Sequence, residues 1–356
     1  MIADFIAPGD GRWRGVLERV RHDVYHLPEY ALFSARHEGG TPCAFFAESD
    51  GRELLIPLLI RPLPDGIGAP SGWKDATSPY GYPGPIATTP DDRGWIGQSL
   101  RTFQRLAREN RLLTAFLRLH PLRGILHDVM SACGSTVHHG DIVYIDLKRS
   151  PAEIWADTCT NHRRNIRRMA ESGFSESIDD WSAYASFPDL YRGTMDRVNA
   201  SPFYFFSDAY FRDLREMLPG QLHISTVRAP HGEIAAAGLF THTDALVEYH
   251  LSGTAAAFRH HAPSKLMLDA VRRWAASSGA TVMNFGGGTG GQVNSLFEFK
   301  TGFSRARAPF HTVRMIFDAP LYAALTGNRR DRNGAIHADT GFFPVYREPQ
   351  RISERV

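Results

Sequence analysis

A chain of 356 residues, 43% hydrophobic and 22% charged, has the composition of a globular protein and room for two cores of ordinary domain size. A net charge of +2 excludes a uniformly basic nucleic-acid binder, so any contact with phosphate has to come from a local patch. No stretch reaches the roughly 20 apolar residues of a membrane span, and the opening MIADFIAPGDGRWRG lacks a basic region followed by an apolar core, which predicts a soluble, unexported, cytoplasmic chain.

In chain order, WRGVLERVRHDVYHLPEY reads as a helical pattern. Two strand-like runs follow, CAFFAES and ELLIPLLIRPL, separated by Asp50-Gly51 as a tight turn. A loop rich in Gly, Pro and Tyr, GWKDATSPYGYPGPIATT, leads to the amphipathic run WIGQSLRTFQRLAREN and the strand TAFLRLH. The strand DIVYIDL comes next, and Ser150-Pro151 with Glu153 reads as a capping box opening a helix, which puts a boundary near residue 150. FPDLYRGTMDRV and SDAYFRDLREML read as helices, and LHISTVRAP, EIAAAGLFTHT and ALVEYHLSGT as three antiparallel strands with His231-Gly232 and Thr243-Asp244 turns. A helix, SKLMLDAVRRWAASSG, and a strand, TVMNFGGG, close this run, a layout that resembles the core of a GNAT acyltransferase. The tail from about residue 325 is polar except for FFPVYR, through which it is expected to fold back.

The three cysteines, Cys43, Cys133 and Cys159, match no metal-binding spacing, which predicts buried free thiols with neither a disulfide framework nor a metal. Of 40 basic residues only Lys74, Lys148, Lys265 and Lys300 are lysine. Where arginine is the default cation, a retained lysine hints at a site suited to a compact ammonium.

Two segments carry chemistry. In Asn161-His162-Arg163-Arg164-Asn165-Ile166-Arg167-Arg168, helical spacing makes two basic pairs, Arg163 with Arg167 and Arg164 with Arg168. Such a face either bridges phosphates or is a solvated face paired with acids elsewhere. The second segment is Asn284-Phe285-Gly286-Gly287-Gly288 running into NSLFEFKTGF. Glycines after a strand let the backbone turn sharply near a ligand, and the short helix that follows is expected to offer its first amides to an anion. Gly286, Gly288 and Gly291 satisfy G-x-G-x-x-G, but the meandering approach is not a βαβ unit, and no G-K-[ST] is present.

The NHRRNIRRMAESGF segment and above all NFGGG…NSLFEFKTGFS resemble the Fem family, FemXAB-like aminoacyltransferases that build peptidoglycan bridges, within the GNAT-like acyltransferases. The resemblance covers roughly residues 150–318, with the first half matching in strand order and in YGYPGP. It implies an α/β (α+β) fold of two tandem GNAT-like domains, each a mixed, mostly antiparallel sheet flanked by helices: 1–149, 150–324 and a tail, 325–356, packing back. It implies transfer of an amino acid from the ester of aminoacyl-tRNA to an amine, by direct attack, without cofactor or covalent enzyme intermediate. The absence of a G-x-S-x-G elbow agrees. By the same resemblance Lys300, the lysine of the FK pair, stabilises charge at the ester or at terminal phosphates.

A GNAT enzyme using acetyl-CoA seats its pyrophosphate on [RQ]-x-x-G-x-[GA]. Here Arg259-His260-His261-Ala262-Pro263-Ser264 keeps the arginine and loses both glycines, which favours aminoacyl-tRNA over acetyl-CoA as donor. Arg259 and Lys265 join the basic helix as phosphate-binding candidates. Alternation puts Glu248 and His250 on one strand face and Tyr249 on the other, with His250 the first candidate base. Tyr204, Glu248, Tyr249 and Phe299 are expected to contact substrate. So are Trp73, Lys74, Asp75, Ser78, Tyr80 and Tyr82 in a loop that either lines the acceptor pocket or packs as a rigid Pro/Tyr segment. Expected partners are aminoacyl-tRNA and an amine on a cell-wall precursor or small natural product, with no DNA.

Overall fold

The computed structural model describes residues 1–123, 127–327 and 341–348. Its elements begin with β1 (Ile2–Ile6), α1 (Gly11–Arg19), α2 (Pro28–Glu38), β2 (Thr41–Ser49), β3 (Arg52–Pro62), β4 (Lys74–Thr77), β5 (Ile86–Ala87), α3 (Arg93–Glu109), β6 (Leu112–Arg118), α4 (His127–Ser131) and β7 (Ser135–Asp146). Next come α5 (Pro151–Asp157), α6 (Thr160–Glu171), β8 (Ser175–Ile178), α7 (Phe187–Arg197), α8 (Asp208–Met217), β9 (Leu222–Arg228), β10 (Ile234–Thr243) and β11 (Leu246–Thr254). The chain continues through α9 (Pro263–Ser277), β12 (Val282–Gly286), α10 (Ser295–Thr301), β13 (Arg307–Ile316) and α11 (Ala319–Leu325). No described helix is long and apolar enough to cross a membrane.

The pattern spanning residues 13–30 does not stay one helix. Asp23 caps a 3-10 turn, Val24–His26, whose His26 side chain returns to the Asp23 amide, and Pro28 then starts α2 because its ring cannot extend the preceding turn. At Asp50-Gly51 both residues take positive φ, 54° and 77°, as a tight hairpin requires. Ser150 and Glu153 form the reciprocal cap of α5. Of the thiols expected to be buried, Cys43 is, whereas Cys159 is exposed at the N-cap of α6.

The compact units are Met1–His139 with Phe310–Val356, and Gly140–Pro309. The sequence reading puts its boundaries at 149/150 and 324/325 instead. The transitions fall inside β7, at Gly140 with φ 95°, and inside β13, at Pro309, so they lie within strands and not in the connections between elements. Nothing in the sequence announces β13 itself, because RAPFHTVRMI breaks its alternation at a proline. β1 and the short polar β8 go equally unannounced.

In the first unit β1-β2-β3 run antiparallel, β4 joins β3 antiparallel and β6 parallel, and β13 closes against β6. α3 lays Trp95, Ile96, Leu100 and Phe103 on this sheet, against Phe45, Ile56, Leu117 and Met315. Each such side chain contributes about 1.5–3 kcal/mol on burial. Of the polar tail, residues 341–348 are described. Phe343 packs with Leu63, Leu113 and Tyr322 of this unit.

In the second unit β9, β10 and β11 form the expected meander, with β8 on its outer side. β12 joins β11 parallel and β7 antiparallel. α9 and α6 pack together over one face, burying Met267, Val271, Ile166 and Met169 with Val247, Met283 and Phe303.

Candidate active site

Lys300 lies in α10, and its side chain is 7% exposed. Its ammonium donates to the Gly287 carbonyl at 2.6 Å and stands 5.8 Å from the centre of the Tyr249 ring. Burial pulls its pKa from 10.5 down to about 8, and the Glu248 carboxylate opposes that fall. Glu248, also buried, accepts from the Asn284 side chain at 2.9 Å, its neighbour in register across the parallel β11–β12 pair. The Asn284 amide oxygen in turn accepts from the Gly286 amide at 2.8 Å, at the point where Gly286 takes φ 70° and the strand turns. Asn284, unread in the sequence, therefore fixes both the carboxylate and the glycine turn. Its signal was its place directly before that turn.

Gly287 and Gly288 hold the turn by close approach: a Cβ at Gly288 would lie 2.0 Å from the Gln292 carbonyl. At the start of the short helix after it, the Asn294 side chain accepts from the Phe297 amide, so one of the first amides is already held within the chain.

The basic helix is the second group. On α6, His162, Ile166 and Met169 face the core, while Arg164, Arg167 and Arg168 are exposed. Among the described residues, none of Arg163, Arg164, Arg167, Arg168, Arg259 and Lys265 has a carboxylate partner. Among the described residues, then, no acid supports the paired-face reading of this helix. Arg163 donates to the Trp155 and Ala156 carbonyls and Arg167 lies over the Trp155 ring, so these two lean toward α5. Lys265, at the start of α9, is buried, which pulls its pKa down, with Arg164 adding to the fall and Cys159 opposing it. Ala262 takes the left-handed conformation just before Pro263, so that turn survives without glycine.

His250 stands elsewhere. The extra residue of a bulge in β11, it shares a hydrogen bond with Tyr210 at 3.0 Å, and Tyr210 stacks on Phe206. Burial alone takes its pKa to about 4, far from the value suited to a base at neutral pH. The ring is a packed aromatic, which corrects its reading as the base. Tyr204 places its ring against exposed Phe203, and its carbonyl accepts from Tyr191. The Phe299 ring packs against His162 and Phe303. Both rings, expected to contact substrate, are half-buried and have aromatic neighbours within the unit.

The first-half loop also packs. Asp75 is fully buried and accepts from Arg61 at 2.9 Å, from Tyr346 at 3.2 Å and from Arg347, fastening the tail. Ser78 accepts from the Arg118 amide, and Trp73 joins the cluster around Tyr322. Lys74 is exposed at the head of β4, Tyr80 is exposed beside Arg118, and Tyr82 packs edge-on to Tyr25 and Phe310. Gly81, at φ 93°, leaves space that the Tyr25 ring fills. Asp75 and Ser78 are thus already bound within the unit, which favours the packing reading for these two, while Lys74 and Tyr80 stay exposed. Replacing Asp75 by alanine strands two guanidinium groups and should destabilise the first unit by about 3 kcal/mol, read by urea unfolding. An unchanged midpoint together with a raised KM for an acceptor would return Asp75 to a binding role.

This unit also encloses a polar cluster that the sequence does not announce. His120 Nε2 donates to buried Asp23 at 3.1 Å, and His26 Nε2 donates to the Gly84 carbonyl at 3.0 Å. The Leu122 and Asp23 amides occupy the two Nδ1 atoms, so both rings are held in one neutral tautomer. Their separation in sequence hides the grouping.

Residues 156–301 match the family described as "Acetyltransferase (GNAT) domain". No curated protein matches the sequence. Among solved structures, FemX is 14% identical, with 90% of this chain and 99% of that chain covered and a TM-score of 0.71. The C-terminal domain of a putative lysylphosphatidylglycerol synthetase from Agrobacterium fabrum is 14% identical over 89% of this chain and 93% of that one, TM-score 0.54. L-PGS from Bacillus licheniformis is 12% identical over 90% and 96%, TM-score 0.51. These likenesses show a fold shared with FemX over most of the chain, and the family match falls within the second unit.

Proposed function

For a chain that carries a GNAT acyltransferase domain within the fold of FemX, we propose an aminoacyltransferase that moves an amino acid from the ester of a charged tRNA to an amine. The observation that supports this most is the combination of a buried Lys300 ammonium with the exposed arginines of α6, which have no carboxylate partner among the described residues. Phosphates of a nucleic acid supply the missing counter-charges of such a face. The cytoplasm, where charged tRNA resides, is then its place of work.

In the reaction the acceptor nitrogen attacks the ester carbonyl, the new C–N bond forms, and the C–O bond to the ribose breaks. The ribose oxygen leaves with the proton released by the amine. Negative charge gathers on the carbonyl oxygen in between, and Lys300 in its protonated form is the group proposed to meet it. With His250 removed as base, proton transfer within the substrate pair is the simplest route. An acyl-CoA donor is the second reading, favoured by the family description and opposed by Pro263, which removes one amide from the pyrophosphate loop.

The test is incubation with candidate amines and either charged tRNA pools or acyl-CoAs, followed by mass spectrometry for new amides. We expect product from charged tRNA that disappears when RNase is added. Product that needs acyl-CoA and ignores RNase would replace the donor, and product from neither would reject the activity.

A further inference from the structure

Between the basic helix and the helix of Lys300 lies a joint that the proposed chemistry does not use. His162, inward-facing on α6 and 6% exposed, donates its Nε2 hydrogen to the Phe299 carbonyl at 2.9 Å, one residue before Lys300. Its ring lies 4.6 Å from Phe303 and 5.3 Å from Phe299, centre to centre. Behind it stands Gly302, where an added Cβ would come 2.5 Å from His162 Nε2. The Cys159 amide, at the N-cap of α6, donates to the Gly302 carbonyl at 2.8 Å. The start of α6 and the end of α10 are therefore fastened by two hydrogen bonds around one imidazole.

The protonation state of that ring is set by its surroundings. A carbonyl only accepts, so the proton sits on Nε2. Nδ1 is buried and, among the described residues, has no hydrogen-bond partner. Burial lowers the ring's pKa, with the Phe299 bond opposing and Lys265 adding to the fall, so the ring stays neutral and keeps donating through neutral pH. A packing residue alone would need no such directed donor, and an apolar side chain of this size would leave no Nδ1 unsatisfied.

We propose that His162 is a positioning residue: by donating to the Phe299 carbonyl and filling the space beside Gly302, it fixes α10 so that Lys300 stays enclosed on the Gly287 carbonyl. It couples the phosphate-binding face to the reacting group, because whatever seats on α6 holds the same helix that carries the ring. The inference rests on the proposed transfer for its kinetic readout and not for its structural one.

The experiment compares His162→Phe, which keeps a ring and loses the donor, with His162→Gln, whose amide nitrogen reaches the same carbonyl. Lys300 is acylated with a small amine-reactive ester and quantified by peptide mass spectrometry. We expect its labelling rate to rise about fivefold or more in His162→Phe and to stay near wild type in His162→Gln, since a misplacement of order 1 Å releases a held group. With charged tRNA, kcat should fall roughly tenfold in His162→Phe while tRNA affinity holds, and His162→Gln should restore it. Gly302→Ala, at a helical φ of −65° that alanine adopts freely, displaces the ring and should copy His162→Phe if that variant fails to fold. Lys300 labelling that is unchanged in both variants, or raised equally by Phe and Gln, overturns the proposal. Changed labelling in a protein that forms no amide from charged tRNA rejects the transfer and leaves the positioning role standing.

Discussion

Replacing Lys300 by alanine or methionine is expected to lower kcat for amide formation by roughly 10²–10³-fold, the usual cost of removing one pre-placed group at a developing oxyanion. The fold should survive. Methionine keeps most of the stem, and exchanging a buried ammonium for an apolar group of similar volume is often neutral or stabilising. The lost bond to the Gly287 carbonyl works against this, so a small change in midpoint of either sign is compatible with the argument. An unchanged kcat in a folded variant would remove Lys300 from the reaction.

The same residue sets the pH dependence. If the charged form acts, activity is lost as pH rises through about 8, the value to which burial takes the ammonium. Stability moves the other way. The ordinary value, 10.5, applies to the unfolded chain, which therefore holds more protons between about 8 and 10.5, so this group adds stability as pH rises through that window. A fall in kcat above pH 8 without a fall in melting temperature separates the titration from unfolding. A rate that instead climbs through pH 8 and levels would show the neutral amine acting as a base.

Changing Arg164 and Arg168 together to alanine should weaken binding of charged tRNA by about 10-fold or more at low salt and flatten the dependence of log K on log salt by roughly 1 to 2. This pair is chosen over Arg163 and Arg167 because those two already lean on the Trp155 and Ala156 carbonyls and on the Trp155 ring. Arg164 and Arg168 have no carboxylate among the described residues to hold them back. Binding titrations at several salt concentrations decide it, and an unaltered slope would make α6 a solvated helix. KM for the amine should stay the same.

The sequence shows more of the second half than of the first. There, local signals agree with tertiary ones: the meander's turns, the Ser150–Glu153 cap and the helical spacing of the α6 arginines all fall on elements that the structure forms. The first-half loop is different. Its tyrosines, acid and lysine look like a pocket because short-range composition cannot tell a polar group awaiting a ligand from one already bound. Asp75 is satisfied by Arg61 nearby and by Tyr346 and Arg347 far along the chain. The same limit misleads at His250, where the pattern gives the strand face and omits the bulge and the ring of Tyr210.

What the sequence determined by itself is the set of helices and strands with strong period, the basic stripe of α6, and the glycine turn leading to Lys300, because each is a matter of near neighbours. Only the tertiary structure decided that Lys300 is enclosed, that Asn284 ties Glu248 to the turn, and that His162 meets Phe299. Desolvation and hydrogen-bond pairing depend on which distant segments close over a side chain, and no local spacing records that.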